Sequence, residues 1–236
     1  MTYNETTSSA RRKIFRLIAY ILTGIFLILL LILYLLYLSA QRLPDFYKKN
    51  LAVGEEIQQL RNKEMRYKIG HLNNAFQKVG ESWQAFFTAE DLNAYFAVEL
   101  AQEGANLFPN EITEPCLTFS DRQVDFACRI TQGSFSGILH LTLGLTLPEP
   151  NRLMIRIKNA KLGRLPISKE IPVKFLVQAF EEKSYQVQQG KESGDPVITV
   201  ILDMQYGKNC LVLLDGIIFQ DGTVHLSGTT ELPNKD

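Results

Sequence analysis

Groupings that carry chemistry are scarce in this chain. Its 236 residues include three histidines, three cysteines and one tryptophan. His71, His140 and His225 are scattered, and no HxxxH, CxxC or histidine–carboxylate spacing is present, so a metal centre is not expected. GxSxG, P-loop and GxGxxG patterns are also missing, which removes the familiar signatures of nucleophile elbows and phosphate-cradling loops. Neither sign of charge is in excess: 25 Lys/Arg balance 25 Asp/Glu. A nucleic-acid binder would show a basic stripe, so no nucleic-acid partner is expected. With no nucleophile, base and orienting group in evident combination, the chain is expected to be neither an enzyme nor a holder of a cofactor.

What the chain does have is one uncharged run from Leu17 to Ala40, preceded by Arg11, Arg12, Lys13 and Arg16. A helix of that length reaches about 36 Å, enough to cross a hydrocarbon core of about 30 Å with some tilt. A cleaved signal peptide would have a shorter apolar region and a small-x-small cleavage site. Here Leu38 stands where the first small residue belongs, so an uncleaved, single-pass signal anchor is expected over a processed one. Tyr20, Tyr34 and Tyr37 lie toward the ends of the run, where amphipathic rings favour the interface. The cations before the run favour a cytoplasmic tail at residues 1–16, which carries a net +3 and leaves −3 for an extracytoplasmic domain. The bilayer is the first expected partner.

Residues 41–82 are expected to form a juxtamembrane stalk. The stretch from Glu55 to Lys68 is rich in Glu, Gln, Lys and Arg, with Ile57, Leu60 and Glu64 at helical spacing. A solvated helix is the plain reading, and a helical dimer seam the sharper one. The domain proper is placed at 83–236. Thr88-x-x-Asp91 is a variant capping box opening a helix to about Glu103, with Leu92, Tyr95, Phe96 and Leu100 as its apolar stripe. Gly104 is expected to stop that helix and Asn106 to Pro109 to turn the chain. The period then changes to two: Leu117 and Phe119, then Val124, Phe126, Cys128 and Ile130. Next come Leu139, Leu141, Leu143, Leu145 and Leu147, followed by Leu153, Ile155 and Ile157. Alternation of this kind predicts antiparallel strands with one wet and one apolar face.

Ser168 is the expected N-cap of a second helix, with Pro172 in its first turn and Phe175, Leu176, Ala179 and Phe180 on its apolar side. Gln188 to Asp195 is expected to be a polar loop. Three closing strands follow at Val197–Met204, Cys210–Gln220 and Thr223–Gly228, with Asp221-Gly222 as hairpin turn. The fold class is therefore α+β: an N-terminal transmembrane helix, a helical stalk, and a curved antiparallel sheet packed with two helices.

Pairing in the two hairpins follows from apolar matching. If Ser120 pairs with Gln123, then Phe119 meets Val124 and Leu117 meets Phe126. Cys128 then opposes Pro115, while Cys116 points to the other face. A register joining Cys116 to Cys128 would waste the apolar face, so free, partly buried thiols are expected. Likewise Gln220 pairs with Thr223, Phe219 with Val224 and Ile217 with Leu226. Phe119-x-Asp121-x-x-Val124 recurs as Phe219-x-Asp221-x-x-Val224, hinting at two helix-plus-strand units.

Glu90 and Asp91 read as first-turn carboxylates stabilised by free amides, and not as an acid/base pair. Arg156, Lys158, Lys161 and Arg164 form a local basic stretch, most simply the wet face of a strand. The segments Phe87-Thr88-Ala89-Glu90-Asp91-Leu92-Asn93 and Lys161-Leu162-Gly163-Arg164-Leu165-Pro166 resemble the YpmS-type family of bacterial proteins with one N-terminal anchor and an extracytoplasmic domain. The resemblance covers about residues 83–228. It implies a helix wrapped by a curved sheet, looking like half of a tubular lipid-binding domain. The expected function is a membrane-anchored, non-enzymatic binding domain for a lipid or another apolar ligand. Its groove would be formed by Leu139, Leu141, Leu143, Leu145, Phe175 and Phe180. The alternative is a structural or assembly subunit of an envelope protein complex.

Overall fold

The computed structural model describes residues 5–103, 112–133, 135–202, 204–206 and 210–232. Helix α1 (Glu5–Ala40) leads into two further helices, α2 (Asp45–Leu51) and α3 (Glu55–Phe76). Strand β1 (Ser82–Thr88) and helix α4 (Ala89–Glu103) follow. Then come β2 (Ile112–Ser120), β3 (Gln123–Gln132), β4 (Phe135–Glu149), β5 (Arg152–Leu162) and β6 (Leu165–Pro166). Helix α5 (Glu170–Glu182) precedes β7 (Gln186–Glu192), β8 (Asp195–Ile201), β9 (Gln205–Tyr206), β10 (Cys210–Gln220) and β11 (Thr223–Glu231).

Within α1, Tyr20–Ala40 has a mean hydropathy of 2.8 with none of its apolar window buried in the body. At about 1.5 Å per residue these 21 residues reach about 32 Å. The chain thus carries one N-terminal helix long and apolar enough to cross a bilayer, a property that anchors share with signal sequences.

The strands form two antiparallel sheets. One has the order β2-β3-β4-β5-β8-β7, with β6 added to the end of β5; the other has the order β1-β11-β10-β9. Both expected hairpin registers occur, with Phe119 opposite Val124 and Leu117 opposite Phe126, and with Phe219 opposite Val224 and Ile217 opposite Leu226. The two hairpins face each other: the rings of Phe119 and Phe219 lie 5.5 Å apart, and the Gly222 amide donates to the Phe119 carbonyl at 2.9 Å. Phe87, Phe119, Val124, Phe219 and Val224 close one core there.

The first hairpin departs from the expectation at one point. A bulge between Thr113 and Cys116, with Glu114 at φ 52°, removes the Pro115–Cys128 pairing. The thiols remain free and point to opposite faces, Cys116 toward α2 and Cys128 toward the core under α5. Burial pushes both up to about 12, because a thiolate loses its hydration there.

The stalk is the largest correction. Residues 41–82 do not stand apart from the body. Helix α2 buries Tyr47 completely against Cys116, Ala127 and Ile138, on the face of the seven-stranded sheet away from α5. Helix α3 buries Asn62 and Met65, and its Leu72, Ala75 and Phe76 pack on Trp83, Val212 and Leu214. Burial of a side chain of this size is worth roughly 1.5–3 kcal/mol, and Leu43 and Phe46 add to it in holding the seven-residue helix on the sheet.

Three smaller differences concern element type and boundaries, and only the first depends on a partner far away in sequence. Ser82–Thr88 forms a strand on β11, with Trp83, Ala85 and Phe87 alternating along it. Gln186–Glu192 is an edge strand on β8 where a loop over Gln188–Asp195 was expected. Helix α5 begins at Glu170, with Lys169 before it already at helical dihedrals, and Ser168 Oγ accepts from the Glu170 amide at 3.4 Å as an N-cap does. The expected stop at Gly104 and turn at Asn106–Pro109 lie outside the described residues.

Candidate functional site

The expected apolar groove is a packed seam. Leu139 and Leu141 on β4 are buried under Val173 and Val177 of α5. Leu143, Leu145, Leu176 and Phe180 pack partly buried against the same cluster. Five of the six expected ligand-binding residues therefore meet, and the sixth does not. Phe175 is 56 % exposed. Val173, Leu176, Val177 and Phe180 follow the i, i+3, i+4, i+7 spacing of one helix face, and Phe175 falls on the other side. Neither of two shallow hollows, of about 310 and 230 Å³, lies in this seam.

Buried charge gathers instead between α3 and α4. The capping box forms as expected: Thr88 Oγ1 accepts from the Asp91 amide at 3.0 Å, and Asp91 Oδ2 accepts from the Thr88 amide at 3.4 Å. Lys68 Nζ donates to the same carboxylate at 2.6 Å. Burial acts to raise the Asp91 pKa, but the Lys68 and Thr88 hydrogen bonds outweigh it and hold the carboxyl below its ordinary range. About two turns further along α4, Glu99 accepts from Arg66 through two donors at 2.7 and 2.6 Å and from Asn62 Nδ2 at 2.7 Å. Those bonds, Arg66 first and then Asn62, hold the Glu99 carboxyl below its ordinary pKa. Arg61 and Glu90 complete the row at the surface. Both candidate carboxylates, Glu90 and Asp91, are thus engaged in helix packing. Of the expected apolar stripe, Leu92 and Tyr95 do pack inward, but Asp91, Asn93 and Glu99 are the more deeply buried.

A second polar group lies on the wet face of the seven-stranded sheet. Asp125 Oδ1 meets His140 Nε2 at 3.1 Å and accepts from Thr142 Oγ1 at 2.7 Å. The His140 bond is the main reason the Asp125 carboxyl sits below its ordinary pKa. Phe46 of α2 packs on the His140 ring at 5.5 Å. Beside it, Glu114 accepts from both Tyr47 Oη and Arg129 Nε at 3.0 Å. Burial and the nearby Glu114 carboxylate raise the Tyr47 pKa. Among the described residues no cluster of three or more His, Cys, Asp or Glu is arranged to hold a metal ion.

Two asparagines act as substitute peptides on strand edges. Asn93 accepts from the Leu117 amide and donates to the Leu117 carbonyl, both at 2.8 Å. Asn151, at φ 55° in the β4–β5 turn, accepts from the Leu214 amide at 2.6 Å and donates to the Val212 carbonyl at 2.9 Å, tying one sheet to the other. Neither role has a local sequence signal.

The junction with α1 is tight. The Ser39 carbonyl accepts from the amides of Arg42 at 3.3 Å and Arg164 at 3.1 Å, and Gln41 Nε2 donates to the Ser136 carbonyl at 2.8 Å. A Cβ on Gly163 would sit 2.1 Å from the Ser39 carbonyl oxygen, and its φ of +60° also suits glycine. The basic stretch is dispersed by this arrangement. Arg156 pairs with Glu192, Lys161 lies near Asp125, and Arg164 meets the end of α1.

No protein-family model, curated protein or solved structure matches the chain.

Proposed function

We propose that this chain is a single-pass membrane protein whose α+β domain is a non-enzymatic docking subunit for a protein partner, held in a fixed orientation at the bilayer. The reading of α1 as a retained anchor is supported by its end. Ala40 is buried and packed against Gly163, so the Leu38-Ser39-Ala40 site is not free for cleavage. The YpmS-type resemblance supports the same placement of the domain outside the cytoplasm.

The observation that carries the docking role is a stripe on α3. Ile57, Leu60 and Tyr67 are 51, 61 and 70 % exposed, on a helix whose opposite side is packed into the body. Their spacing of three and seven residues puts them on one face. An acyl chain or other apolar ligand would need the Leu139–Leu145 face open, and Val173, Val177 and Phe180 lie across it. A photo-crosslinking residue placed at Leu60 or Tyr67 of the full chain, in its native membrane, is expected to capture one protein partner in high yield. Lipid adducts alone, or none, would sink the proposal.

A further inference from the structure

We infer that Arg42 and Arg164 form a grip for the phosphate of an anionic phospholipid headgroup where α1 leaves the bilayer. The inference rests on the reading of α1 as a membrane anchor. The two arginines are 122 positions apart in sequence, yet their amides share one acceptor, the Ser39 carbonyl, at 3.3 and 3.1 Å. Gly163 makes this convergence possible, since any side chain there would strike the Ser39 and Ala40 backbone.

Both arginine side chains are exposed. Among the described residues neither has a carboxylate partner, whereas Asp45, the acidic residue nearest in sequence to Arg42, is taken by Lys48. Their height fits headgroups: the apolar run ends at Ala40, and Arg42 lies two residues beyond it. A planar guanidinium binds phosphate through two parallel N–H donors, and two of them around one anion supply both charge and geometry. Phospholipid phosphates are the anions concentrated at that depth, and an anionic headgroup leaves the phosphate charge uncompensated by a neighbouring cation.

The test uses the full chain reconstituted in mixed phosphatidylcholine and phosphatidylglycerol vesicles, with retained lipid read by native mass spectrometry. The wild type is expected to retain phosphatidylglycerol over phosphatidylcholine. Each of Arg42→Gln and Arg164→Gln should cut that preference about fivefold, and the double variant about 25-fold. Tryptophan fluorescence of buried Trp83 checks that the variants stay folded. Lys174→Gln/Lys183→Gln, which removes two exposed cations on and just after α5, should leave the preference unchanged. An equal loss in that control, an unchanged preference in the arginine variants, or displacement of the lipid by inorganic phosphate would each overturn the headgroup grip. Carbonate extraction separates the premises: a chain released from the vesicles overturns the anchor reading itself, while a retained chain without lipid preference overturns only the grip.

Discussion

Helices α5 and α4 both lie against the body, but they are held by opposite chemistry. Helix α5 presents Val173, Leu176, Val177 and Phe180 to an apolar sheet face. The α3–α4 contact buries Asp91 and Glu99, paired by Lys68, Arg66 and Asn62, and the same helix sets Asn93 on the Leu117 backbone of β2. An apolar seam tolerates change of shape and punishes new charge. A polar seam depends on every partner being present, because its desolvation cost is offset only by complete pairing. The contrast shows that helix packing in one molecule need not follow one rule.

The strongest way to break the comparison is to put a carboxylate into the dry seam. Val177→Asp should cost about 4 kcal/mol or more, seen as loss of the cooperative thermal transition of the full chain in detergent micelles. Asp91 and Glu99 are tolerated at equal burial only because they are paired, so a mild effect at Val177 would refute the distinction.

Next, Arg66→Met should cost about 3 kcal/mol, because it strips the main partner from a carboxylate that is 3 % exposed. The triple variant Asn62→Leu/Arg66→Met/Glu99→Leu removes the buried charge together with its partners. It should be close to neutral in chemical denaturation, whereas a triple variant as unstable as the single one would show that the polar groups stabilise in their own right.

The smallest effect is the dependence on acidity. Asp91, Glu99 and Asp125 are all depressed below their unfolded pKa values of about 4. Their contribution is complete above that range. It is lost as pH falls through the folded values, because the unfolded chain takes up protons first. Hydrogen exchange should show α4 amides losing protection below about pH 4 before the α5 amides beyond that helix's first turn. Helix α5 is held through an apolar face, and its carboxylate pairs, Lys169–Asp195 and Lys191–Glu170, lie only at its start. Simultaneous loss in both helices would mean that acid acts on the whole fold at once.

Much of this was legible locally. A period of two and short turns fix which side chains share a face, so the registers of Phe119 with Val124 and of Phe219 with Val224 could be read from the chain. The Thr88–Asp91 box is a contact within four residues, and it too was readable. The groove assignment failed at Phe175 because hydrophobicity was counted without the helical angle that places it opposite Val173 and Val177. The polar composition of residues 55–68 suggested a solvated stalk. Nothing nearby announces that Asn62 and Arg66 meet Glu99, more than thirty positions later.

The sequence by itself determined the apolar helix, the antiparallel hairpins and the capped start of α4, since each depends on composition or spacing within a short window. Only the tertiary structure decided that α2 and α3 belong to the body, that Ser82–Thr88 and Gln186–Glu192 are strands, and that Gly163 receives the end of α1. The placing of α2, α3, Ser82–Thr88 and Gly163 depends on partners distant in the chain, and burial against them helps to offset the cost of ordering. Gln186–Glu192 pairs with the strand that follows it, but its polar residues carry no strand signal of their own.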